Sequence, residues 1–91
     1  MTIYKYKLND TLQLSTVEAP IVSPLWVDYQ NGEPYVWAII DPNTPVRRIH
    51  ILQIGTGQPF GDGVCIGNYL NTTVAQSEPF VWHWFWMDAE E

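Results

Sequence analysis

The chain has 91 residues, 46% of them hydrophobic and only 15% charged, with a formal net charge of −6. That length makes a single domain, residues 1–91, and the hydrophobic content is enough for a core, which excludes wholesale disorder. The only bases are Lys5, Lys7, Arg47 and Arg48; they form two pairs rather than a stripe, so direct nucleic-acid binding is not expected.

Thr2 to Leu8 alternates, with Tyr4, Tyr6 and Leu8 on one face and Ile3, Lys5 and Lys7 on the other. It reads as a half-solvated strand. Asn9-Asp10 signals a turn, and Leu12 to Val17 alternates again, so these two segments are candidates for a hairpin. Proline cannot donate to a ladder, which makes Pro20 to Pro24 a crossing segment or a sheet edge. Leu25 to Gln30 is a third strand. Asn31-Gly32 is the strongest hairpin signal in the chain, and it hands over to Tyr35–Ile40, apolar on both faces and therefore central. Asp41-Pro42-Asn43-Thr44-Pro45 stops that strand. Val46 to Ile54 is a fifth strand, Gly55 to Gly63 a glycine-rich loop, and Val64 to Leu70 a sixth strand in which Cys65 reads as a small core residue. Asn71 to Pro79 is a polar connection with room for one helical turn around Gln76.

The last strand, Phe80 to Met87, carries Phe80, Trp82, Trp84 and Trp86 on one face and Val81, His83, Phe85 and Met87 on the other. Neither face is polar, so it must be covered on both sides, by the rest of the fold and by a second layer or a second copy. The acidic tail from Asp88 to Glu91 reads as a solvated end. Seven short strands, mainly antiparallel, and no helical period predict an all-β fold, either a small sandwich or a strongly curved sheet.

Five tryptophans are more than so short a chain buries easily, and indoles are favoured at interfaces. Phe80, Trp82 and Trp86 are therefore assigned to an oligomer interface, and a homo-oligomer is expected. The loop with four glycines from Gly55 to Gly63 invites a phosphate, because such loops present backbone N–H groups. Yet the Walker lysine is missing and no long helix follows, so a hairpin loop using positive φ is the simpler reading. The sharper reading is a pocket for a nucleotide-like ligand built from Gly55, Thr56, Gly57, Gln58 and Phe60 with Arg48 and Trp84, since arginine suits phosphate and tryptophan stacks on bases.

His50 and His83 are the only histidines, and no His or Cys pair stands at ligand spacing. No metal and no cofactor are expected. His83 reads as a hydrogen-bonded core histidine. A single cysteine rules out an intrachain disulfide. No serine sits in a nucleophile elbow, no catalytic residue is assigned, and the chain is not expected to be an enzyme. No secretory segment or membrane-length apolar run is seen, so a cytoplasmic protein without a membrane partner is expected.

Several segments resemble a family of short, uncharacterised proteins encoded by bacteriophages and prophages. They are Ile3-Tyr4-Lys5-Tyr6-Lys7-Leu8, Gln30-Asn31-Gly32, Val36-Trp37-Ala38-Ile39-Ile40-Asp41-Pro42 with Pro45, Ile54-Gly55-Thr56-Gly57-Gln58-Pro59, Ile66-Gly67 and Phe80-Val81-Trp82-His83-Trp84-Phe85. Gln58 departs from the pattern, standing where histidine is expected, and tryptophans replace smaller residues near the end. The resemblance implies a small accessory protein that acts in the host cytoplasm by binding. It would counter host defence by blocking a protein complex or sequestering a small signalling nucleotide; a structural or assembly component of a virion is the alternative.

Overall fold

In the computed structural model, which describes residues 1–9, 13–63, 65–74 and 80–89, seven strands form two antiparallel sheets packed face to face. They are β1 (Thr2–Lys7), β2 (Leu14–Ala19), β3 (Ile21–Gln30), β4 (Glu33–Ile40), β5 (Arg47–Gly55), β6 (Asn68–Val74) and β7 (Val81–Asp88). One sheet has the order β1-β4-β3, the other β2-β5-β7-β6. The all-β expectation holds, and of its two forms the sandwich is the one observed. The turn at Asp10, the start of the second segment at Leu12, Val64, the residues around Gln76, and Glu90–Glu91 lie outside the described residues.

The β3–β4 hairpin forms where Asn31-Gly32 predicts it. Both turn residues have positive φ, 54° and 80°, the requirement of a hairpin turn whose twist matches its strands. β4 is central, as its two apolar faces demand. Asp41 ends it: its carbonyl accepts from Thr44 N at 2.9 Å and its side chain from Asn43 N at 3.0 Å. Pro24 lies in β3, an edge strand, with register shifts on both sides of it, so the missing N–H costs no ladder bond inside a sheet.

Three expectations are corrected. β1 and β2 do not form a hairpin; β1 pairs with β4 and β2 with β5, in different sheets. The half-polar β1 gains more by flanking the apolar β4 than by closing on its sequence neighbour. The sixth strand begins at Asn68 rather than Val64. Cys65 consequently lies before that strand and is exposed, not a core residue.

Alternation delivers the core. Val36, Ala38 and Ile40 of β4 face Ile49 and Ile51 of β5 and Trp84 of β7, with Val17, Ala19, Ile21 and Val27 completing the layer. Trp84, only 1% exposed, is the largest fully buried side chain. Its indole N–H is satisfied by Thr73 Oγ1 at 2.8 Å, as a buried indole requires. Asn71 joins the two sheets at one side. Its Oδ1 accepts from Val27 N at 2.8 Å and its Nδ2 donates to Val27 O at 2.6 Å. The amide thus does for the β3 edge what a neighbouring strand would do.

A register shift between Tyr69 and Asn71 makes this possible. Strict alternation from Tyr69 would put Asn71 on the outer face. The extra residue turns Asn71 inward and leaves Thr72 outward opposite His83, the re-aiming that bulges produce.

Candidate functional site

The outer face of the four-stranded sheet carries the candidate site. Ile54 of β5 pairs with His83 of β7, and Thr72 of β6 flanks His83 on the other side. The chain leaving β5 folds back over this row. Thr56 N donates to Val81 O at 3.0 Å, and Gln58 N closes a turn on Gly55 O at 3.0 Å. Gly57 stands at the third turn position with φ 81°, which only glycine adopts without strain. The Gln58 side chain then reaches back, its Oε1 accepting from Gly55 N at 2.9 Å. The turn is therefore pinned twice. Gly55 itself lies against the Trp82 ring, where a Cβ would come within 3.1 Å of it.

Folding back leaves a groove of about 340 Å³ lined by Ile54, Gly55, Thr56, Gly57, Gln58, Phe60, Ile66, His83 and Phe85. That volume is at the small end of ligand sites. One wall is polar. Thr56 Oγ1 lies 2.7 Å from His83 Nε2, Thr72 Oγ1 lies 3.1 Å from His83 Nδ1, and Tyr69 Oη lies 2.7 Å from Thr72 Oγ1. A neutral imidazole has one donor and one acceptor nitrogen, while each hydroxyl can do either. The chain can therefore present donor or acceptor character at Thr56 as a ligand demands. The other wall is apolar, with Phe60 54% exposed and Phe85 held edge-on by Tyr69 at 5.7 Å between ring centroids. A hydroxyl–imidazole pair is also the first element of nucleophilic catalysis. Here the far nitrogen meets Thr72 rather than a carboxylate.

Gly55, Thr56, Gly57, Gln58 and Phe60 thus come together as the sequence suggests. Arg48 and Trp84 do not join them. Arg48 stands well down β5 with its guanidinium 3.6 Å from Glu18, and Trp84 points into the core. Among the described residues no lysine, arginine or carboxylate lines the groove. His83 lies at the groove, half-buried, rather than in the core. No residue pattern in the sequence points to Thr72 or Tyr69: the bulge puts Thr72 opposite His83, and Tyr69, which pairs with Phe85, reaches it only through Thr72.

The aromatic residues assigned to an interface are differently placed. Trp82 and Trp86 are partly buried and pack against the core, with the Arg47 guanidinium 5.8 Å over the Trp86 ring. Arg47 also pairs with Asp88 at 2.6 Å. Phe80 is 48% exposed and lies 5.8 Å from the Trp82 ring. Among the described residues no group of three His, Cys, Asp or Glu side chains could hold a metal, and no helix is long and apolar enough to cross a membrane.

No curated protein and no solved structure matches the chain. One domain family does: its profile, described as a domain of unknown function (DUF7352), matches residues 1–91. The chain belongs to that family.

Proposed function

We propose that this DUF7352 protein acts by binding rather than by catalysis, and that the groove beneath the Gly55–Phe60 turn is where it binds. The observation that carries this reading is the double pinning of the turn over His83, which combines an aromatic wall with an adjustable hydrogen-bonding wall in one concave site. Pre-ordered polar groups in an apolar cleft are what a small-ligand site needs. The absence of a lysine or arginine from the lining favours an uncharged ring over a phosphate. If the ligand is a nucleotide, its base enters the groove and its phosphates stay in solvent.

The resemblance to phage-encoded accessory proteins supports placing this act in the host cytoplasm, against a host defence process. The bound group is then a small signalling molecule or an aromatic side chain of a blocked host protein. A second reading, a virion assembly component that self-associates, draws on the exposed Phe80 and Val74 near the end of the β6–β7 pair.

Native mass spectrometry of the protein purified gently from phage-infected cells tests the proposal. A retained small molecule that is lost in Thr56→Val and Phe60→Ala supports it, as does a stoichiometric protein partner lost in the same variants. Retention that both substitutions leave unchanged places the site elsewhere, and recovery with assembled particles favours the second reading.

A further inference from the structure

The outer face of the three-stranded sheet is a second surface with a chemistry of its own. Because Val36 and Ala38 face the core, Trp37 between them faces outward. Its direct cross-strand neighbours are Trp26 of β3 and Lys5 of β1. Two indoles therefore stand side by side on an open sheet, and Trp26 is 50% exposed. The row next to them holds Tyr35, whose ring lies 6.2 Å from that of Trp37, with the Lys5 ammonium 4.8 Å above it. Trp37 itself is half-buried among these neighbours, so Trp26 is the more accessible of the two indoles. Indoles, with an apolar body and a polar handle, are favoured at interaction surfaces.

Charge narrows the occupant. Lys5 donates to Gln30, and Lys7 pairs with Glu33 at 2.9 Å. Asp28 sits opposite Tyr35 on the same face. Two ammonium groups are thus balanced by two carboxylates on a chain whose total is −6. A polyanion such as single-stranded nucleic acid finds no excess of positive charge here. Size narrows it further. Three strands about 4.8 Å apart and the eight residues of β4 rising about 3.4 Å each give a face of roughly 390 Å², the cross-strand pair Ile3 and Ile39 included. A stable dimer needs about 800 Å² from each partner, so a second copy is poorly served by this face alone.

We propose that this face binds a neutral glycan. The apolar C–H face of one sugar ring lies on Trp26 and that of a neighbouring ring on Trp37, while hydroxyls reach the Asp28 carboxylate, the Tyr35 hydroxyl and the Lys5 ammonium. The match is in chemistry: rings that are apolar on their faces and polar at their edges meet indoles rimmed by donors and acceptors. The site is separate from the groove, on the opposite outer face of the sandwich.

The test is a glycan array followed by titration of tryptophan fluorescence with cellohexaose, maltohexaose and chitohexaose and with any array hit. Saturable binding to at least one neutral glycan is expected, weakened roughly tenfold by Trp26→Ala, as for loss of a stacked ring. Asp28→Asn, which leaves the packing untouched, weakens the same binding by a smaller factor, and Phe60→Ala in the groove leaves it unchanged. The proposal is overturned if no neutral glycan binds, or if binding survives both Trp26→Ala and Asp28→Asn. Binding of a single-stranded oligonucleotide instead, or a dimer that Trp26→Ala dissolves, overturns it in favour of those occupants.

Discussion

The two sheets finish their outer faces in different ways. On the four-stranded sheet the chain after β5 folds back, so that Thr56, Phe60 and Ile66 stand over His83 and Phe85 and make a concavity. On the three-stranded sheet a half-exposed Trp26 and a half-buried Trp37 stand beside lysines and carboxylates that pair among themselves or with neutral neighbours. A small domain has few residues to spare for covering layers. Where a loop was spent, the face became a pocket; where none was, it stayed a platform. The lesson is that an apolar outer face does not by itself say what binds there. Whether a loop crosses it decides between a ligand held inside and a surface laid on top.

Both faces are the outsides of one core, so the largest effect should strike them together. Trp84→Ala removes the largest buried side chain and is expected to cost about 3–5 kcal/mol, read by urea unfolding, with both binding activities lost in proportion to folded protein. A loss near zero would mean that β7 is not central. Next comes Asn71→Ala, which leaves Val27 N and O of the buried β3 edge unpaired and should cost about 2–3 kcal/mol. Loss of the β3 edge bonds should be visible as faster amide exchange at Val27, on the platform side, before the groove opens.

Gly67→Ala attacks the groove side. Its Cβ would collide with the Trp86 carbonyl at a φ of 78°, so about 1–3 kcal/mol should be lost, with the disturbance centred on Ile66 and the groove. Gln58→Ala removes one pin of the turn. It should change stability by no more than about 1 kcal/mol yet abolish groove binding while glycan binding on the platform stays intact. The smallest effect belongs to the platform rim. The Lys7 ammonium, hydrogen-bonded to Glu33, holds that carboxyl below its ordinary value. The contribution is present above the unfolded-state value and lost as pH falls through the lower folded one. Glu33→Gln should flatten that acid limb slightly and leave the groove untouched.

Much of the fold can be read from residue order. Asn31-Gly32 announces its hairpin, the alternation in Tyr35–Ile40 announces a central strand, and the Phe80–Met87 run announces another. Long-range pairing cannot be read the same way. Nothing in Thr2–Leu8 says whether it pairs with Leu14–Ala19 or with β4, because both partners offer compatible alternation. The β6 bulge is invisible for the same reason: a one-residue shift moves every later side chain to the other face without changing composition. Hence the loop that lines the groove, Gly55 to Phe60, is legible in the sequence, and the Tyr69–Thr72 hydrogen bonds behind His83 are not. Arg48 and Trp84 were grouped with the loop on residue type, whereas register sends one well down β5 and the other into the core.

Amide hydrogen exchange with and without the molecule retained from cells tests the central claim most directly. Binding at the groove predicts added protection at residues 55–60 and at His83 and Phe85, with β3 and β4 unchanged. Protection confined to Trp26 and Trp37, or to the region of Phe80, would contradict the assignment of the groove as the binding site.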